Sequence, residues 1–258
     1  MASQGASGGI PKRLFTETQA TRFCRGLLAA SVGILPAFAT FSADGALFSA
    51  VVVSTDDRRD GQRVGFGNES ASTDARHVAD WIVHAKDNRQ LPFVIVDKTE
   101  GKVFVFYADG RLRGAAPALL GLAVGDEAVP GIGHRKLSNI LPEERTTPAG
   151  RFEAFLGHNL RGDKILWVDY DTAISLHPVM TENPKERRAE RLATLTPSDN
   201  RISFGCINVP MDFFRNVVRP TFQQSYGIVY VLPETRSPKQ EFDSYDVREP
   251  EPQFVMTK

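Results

Sequence analysis

From Asp74 to Lys86 the apolar residues Val78, Trp81, Ile82 and Ala85 recur at helical spacing, with Ser72 or Thr73 placed to cap the start. The period then changes. Leu91–Lys98 (LPFVIVDK) and Lys102–Gly110 (KVFVFYADG), joined by Thr99-Glu100-Gly101, read as a β-hairpin. Further strands are expected over 116–124, 150–156, 164–170, 173–177, 201–208 and 227–232. Short strands divided by Gly, Pro and Asn, with few helices, predict a mainly β fold, a β-sandwich or open barrel with a few peripheral helices. A second helix is expected after Pro210, where Phe213, Phe214, Val217 and Val218 repeat at turn spacing and Arg219-Pro220 stops it. The segment between Pro178 and Asn200 breaks the β rhythm with a dense charge run; it reads as a solvated face or as a lid beside a site.

The first 39 residues read as a leader rather than as part of the fold. Lys12, Arg13, Arg22 and Arg25 precede the apolar stretch Gly26–Leu35, which is followed by Pro36 and the small-x-small run Ala37-Phe38-Ala39. The stretch falls short of the ~20 residues that a spanning helix needs, so the expectation is a signal peptide, export to the periplasm or cell envelope, and no stable membrane span. The rest divides into an N-terminal extension with one helix (40–90), a catalytic domain (91–232) and a C-terminal tail (233–258) whose Pro and charge content suggests chain trailing over the surface. Thirty-one basic residues balance 31 acidic ones, which argues against a nucleic-acid partner.

Of the two cysteines, Cys24 lies within the leader, so the mature chain keeps only Cys206. A lone cysteine in an oxidising compartment is either inertly buried or kept for its thiol chemistry. If 201–208 is one strand, period two puts Phe204, Cys206 and Asn208 on one face, and Gly205 permits a close approach of backbone or substrate. The helix expected after Pro210 would favour thiolate at Cys206. His177, at the end of a strand-like segment, is placed to serve as its base from a neighbouring strand. On pattern alone a cysteine in an apolar strand is more often simply buried.

Three segments add a resemblance. Ser203-Phe-Gly-Cys-Ile-Asn208 is similar to the Ser-His-Gly-Cys-hydrophobic-Asn/Arg signature of the L,D-transpeptidase catalytic domain (the YkuD-like family). Thr147-Pro-Ala-Gly-Arg-Phe152 resembles that family's Thr-Pro-x-Gly-x-Phe segment, and Ile95–Leu112 its opening hairpin. The resemblance covers roughly residues 91–232. It implies Cys206 as nucleophile, His177 as general base, and the Pro178 carbonyl as the group that orients the imidazole. It also implies that the Gly205 and Cys206 amides form an oxyanion hole, with Ser203, Phe204 and Asn208 about the substrate pocket. Two departures stand out: Phe204 replaces the motif's internal histidine, and the interval from His177 to Ser203 is long. An inserted lid accounts for the interval, and Arg187, Arg188 or Arg191 on it are candidates to meet a substrate carboxylate.

The activity so implied is acyl transfer between peptidoglycan stem peptides through a Cys206 thioester, in cell-wall biogenesis and cell shape, with no metal or organic cofactor. The alternatives are hydrolysis of the same acyl-enzyme, as an L,D-carboxypeptidase, and a degenerate non-catalytic peptidoglycan-binding module. No motif bears on oligomeric state. His77, His84, His134 and His158 read as surface or turn histidines, and Asp169 and Asp171 as polar strand positions. The glycines of 125–133 lack the Lys-Ser/Thr of a phosphate loop, and no Ser-x-x-Lys or His-Glu-x-x-His occurs.

Overall fold

In the computed structural model the described residues run from 63 to 247; the leader expected over 1–39 lies outside them. Helix α1 (Thr73–Ala85) starts where Ser72 Oγ accepts the Ala75 N–H at 3.0 Å and ends at Lys86 in the left-handed region. It buries Ala75, Val78, Ala79, Trp81 and Ile82. At about 1.5–3 kcal/mol for each large side chain buried, packing rather than propensity holds it.

Ten strands follow among the described residues: β1 (Phe93–Asp97), β2 (Lys102–Phe106), β3 (Leu112–Pro117), β4 (Leu120–Gly121), β5 (Gly150–His158), β6 (Lys164–Asp169), β7 (Ile174–Pro178), β8 (Arg201–Ser203), β9 (Ile207–Val209) and β10 (Gly227–Val231). Eight of them form one mixed sheet in the order β3-β2-β1-β10-β5-β6-β7-β9; β4 and β8 pair separately. The neighbours β1/β10 and β7/β9 run parallel. Just past β3, Leu119 exchanges both backbone hydrogen bonds with Asn208 on β9, so the two ends of the sheet meet and the barrel is nearly closed.

The alternation in the hairpin sorts two cores. Val94, Val96, Val103, Val105, Val229 and Val231 face inward with Leu166, Leu176 and Ile207. Phe93, Ile95, Phe104, Phe106, Ile228 and Tyr230 face outward beneath α1. Because both faces are covered, these strands read as continuous apolar runs.

Four local expectations are revised. The strand expected over 116–124 is two pieces, since β3 starts at Leu112 and Gly121 lies against another backbone, where a Cβ would sit 2.3 Å from the Arg145 carbonyl oxygen. The strand expected over 201–208 breaks into β8 and β9 at Gly205. The helix after Pro210 runs through Pro220 as α3 (Met211–Phe213), a π turn (Phe214–Val218) and α4 (Arg219–Thr221); the wide turn just before Pro220 accommodates a residue that lacks the N–H of a regular helix. The segment after Leu232 does not trail. Its helix α5 (Pro238–Phe242) stacks Phe242 on Trp81, with ring centroids 6.3 Å apart. Asp126 accepts from the Glu234 and Thr235 amides at 2.8 Å each. Beneath it Lys98, fully buried, donates to Asp126, Gly125 O and Thr147 O. No described helix is long and apolar enough to cross a membrane.

Candidate active site

Strand β7 carries His177 beside Asn208 of β9, and the turn between β8 and β9 carries Phe204, Gly205 and Cys206. Gly205 has φ 126°, and a Cβ there would lie 2.6 Å from Thr146 O and 2.7 Å from Ile174 Cδ1, so this position requires glycine. Because the strand breaks here, period two does not govern how Phe204, Cys206 and Asn208 are placed. The Phe204 ring instead supports the Arg145 guanidinium, 4.0 Å from its centroid, a cation–π contact.

The turn is tied on several sides. The Gly205 N–H donates to Ser203 Oγ at 3.0 Å, and the Ser203 hydroxyl donates to Cys206 O at 2.7 Å. Asn208 Nδ2 donates to the same carbonyl at 3.1 Å. The Thr147 hydroxyl donates to Gly205 O at 2.8 Å and accepts the Gly121 N–H at 2.8 Å. Of the two amides expected to face an oxyanion, that of Gly205 is therefore engaged. The Cys206 N–H has no partner among the described residues.

His177 Nδ1 lies 2.8 Å from the Pro178 carbonyl oxygen. A carbonyl only accepts, so Nδ1 carries the hydrogen and Nε2 is left for the thiol. Burial alone would push the imidazole down, but its hydrogen bond and charge interaction with Cys206 and the bond to Pro178 raise it above its ordinary value, against the opposing charge of Arg188. For Cys206, burial pushes the thiol up, yet His177 and the hydrogen bonds from Ser175 bring it below its ordinary value. The two directions agree: each group stabilises the charged form of the other. Ser175 Oγ lies 3.6 Å from Sγ, and the Ala173 carbonyl oxygen 3.7 Å from it. Neither Ser175 nor Thr147 stood out as a site residue in the sequence. Ser175 was within reach of pattern, because it lies two positions before His177 on the same strand.

The pair sits between two openings. His177 and Pro178 line a cleft of about 490 Å³ with Met180, Met211 and Arg215. Cys206 and Phe204 line a smaller cavity of about 120 Å³ under Ile132, Arg135 and Ile140. From the charged segment between Pro178 and Asn200, Arg188 comes closest: its Nη1 donates to Asn208 Oδ1 at 2.7 Å while Nε pairs with Glu186. Arg191 staples its own loop through Glu186 O and Asp199 O. Arg187 is exposed and paired with Glu190.

The remaining histidines stand apart. His77 and His84 hydrogen-bond Ser244 and Tyr245, and His134 and His158 are exposed. Asp169 accepts from the Asp171 amide and the Thr172 hydroxyl. Among the described residues no three His, Cys, Asp or Glu side chains gather as a metal site.

No model of a protein family and no curated protein matches the sequence. Solved structures similar to this chain include the helical cell shape determining protein Pgp2 from Campylobacter jejuni, at 16% identity and a TM-score of 0.37 over 57% of this chain and 49% of that one. An L,D-transpeptidase from Xylanimonas cellulosilytica is 16% identical, with a TM-score of 0.33 over 55% of this chain and 60% of that one. The catalytic domain of the Enterococcus faecium L,D-transpeptidase is also 16% identical, with a TM-score of 0.32 over 55% of this chain and 98% of that domain. This chain spans about half the length of the Pgp2 structures. The proteins that this chain is similar to are thus L,D-transpeptidases and a cell-shape protein.

Proposed function

We propose that this protein is an exported cysteine acyltransferase of the L,D-transpeptidase type that acts on peptidoglycan stem peptides. The observation that carries the reading is geometric: His177 stands on the strand beside the one that Cys206 leads into, with its imidazole oriented by the Pro178 carbonyl, and the lowered thiol and raised imidazole agree with that placement. Residues 91–232 are its catalytic domain, and residues 1–39 its export signal.

In this mechanism His177 Nε2 takes the thiol proton, and the sulfur bonds to a peptide carbonyl carbon between an L-centre and a D-residue. Collapse of the tetrahedral intermediate breaks the C–N bond, and the amine of the D-residue leaves with the proton held by His177. The resulting thioester is attacked by an amine of a second stem, which passes its proton to His177. Collapse of that adduct returns the thiol and leaves a new amide. The openings on the Cys206 side and the His177 side give each reactant a separate approach. Arg188, half-buried and bonded to Asn208, supports the site rather than reaching into solvent for a carboxylate.

Incubation with purified stem peptides followed by mass spectrometry tests the reading. A mass added at Cys206 equal to the stem minus its D-residue is expected, discharged by an acceptor amine. Discharge by water alone would make the protein an L,D-carboxypeptidase. An unmodified Cys206 with bound peptide would make it a binding module.

A further inference from the structure

The peptide unit that ends in the Cys206 amide is held by a residue outside the His177–Cys206 pair. Gly205 C=O and Cys206 N–H belong to one peptide unit, which is planar and trans, so its carbonyl and its N–H point in opposite directions. Whatever fixes the carbonyl aims the amide. That carbonyl accepts the hydroxyl of Thr147 at 2.8 Å. Thr147 is fully buried, and its hydroxyl is itself set by the Gly121 N–H at 2.8 Å, while its own carbonyl accepts Lys98 Nζ at 3.0 Å. The flanking polar groups of the turn are spent on Ser203 and Asn208. The Cys206 N–H, directed away from Thr147, has no partner among the described residues.

We propose that Thr147 is a positioning residue that holds the Gly205–Cys206 peptide plane so that the Cys206 N–H, without that of Gly205, stabilises the oxyanion of the acyl-transfer step. The assignment rests on the thioester reading above and adds to it which amide works and what aims it. A single preset donor of this kind contributes on the order of 10²–10³ in rate.

The test exploits two reagents that share the thiolate but differ in the oxyanion. Alkylation by iodoacetamide displaces iodide at an sp³ carbon and develops no oxyanion. Acylation by p-nitrophenyl acetate passes through a tetrahedral oxyanion and expels p-nitrophenolate. In Thr147→Val the acylation rate is expected to fall about 100-fold, while alkylation and its pH profile stay within about twofold of wild type. Thr147→Ser, which keeps the hydroxyl, is expected to retain both rates, and it remains informative if the valine variant does not fold. Equal losses in both reactions, no loss in either, or loss of acylation in Thr147→Ser would each overturn the assignment. If wild-type Cys206 is alkylated but never acylated, the thioester reading falls together with it. If wild type and Thr147→Val acylate equally, only the role of Thr147 falls.

Discussion

Lys98→Met removes a cation whose side chain is fully buried and whose partners do not reach water. Lys98 Nζ lies 2.8 Å from Asp126 and 3.4 Å from Glu234, whose side chains are 1% and 5% exposed. Breaking a buried ion pair by deleting one partner costs about 3–5 kcal/mol, because the charge left behind has lost its compensation. Here the lower end applies, since Asp126 keeps the Thr235 hydroxyl and two amides, and Glu234 keeps Arg201. A loss of about 3 kcal/mol corresponds to a fall of about 6–12 °C in Tm for a chain of this size. Urea denaturation at pH 7, followed by circular dichroism, measures it. The pH dependence supplies a second check. Burial pushes Asp126 up, but the hydrogen bonds from Lys98, Thr235 and the Glu234 amide outweigh it and hold the carboxyl well below the usual carboxylate range. Its contribution is therefore present above the unfolded value of about 4 and is lost as pH falls through the lowered folded value. The gap between wild type and Lys98→Met should narrow below about pH 4. A loss under about 1 kcal/mol at pH 7, or a gap that widens in acid, would refute the role given to this pair.

Cys206→Ala is expected to abolish acyl transfer with little change in the melting transition; turnover retained by that variant would remove the mechanism. In His177→Ala the thiol loses the partner that lowers it while most of its burial remains, so the midpoint of iodoacetamide labelling against pH should move upward. An unchanged midpoint would mean that the imidazole does not support the thiolate. Phe204→His is expected to preserve or raise stem-peptide turnover, since it leaves the nucleophile and base in place and restores the residue of the resembling motif. A tenfold or larger loss in steady-state assays would show that the Phe204–Arg145 contact is part of this site's geometry.

The hairpin, helix α1 and the neighbouring strands that carry His177 and follow Cys206 were legible because each rests on a local signal: alternation, a capping serine, or a motif. The break at Gly205 was not. Arg201 to Asn208 alternates as a strand does, and what forces the turn is the backbone of Thr146, far away in the chain. The packed C-terminal segment was hidden for a similar reason. Its proline and charge content describes a surface, whereas the partners that bury Glu234 and Thr235 are Asp126, Lys98 and Arg201. Thr147 lay inside a recognised segment, but its hydroxyl acquires meaning only once Gly205 is folded onto it.

The nucleophile-bearing turn and the base are held by adjacent strands that run the same way. Such strands cannot be joined by a tight turn; the chain must travel back along the barrel, which takes about a dozen residues or more. The separation between imidazole and sulfur along the chain thus has a floor set by geometry and no ceiling. Material can accumulate in that return path without displacing either group, provided the anchor of Arg188 on Asn208 is respected. A search that demands a fixed interval between the two would pass over chains built in this way.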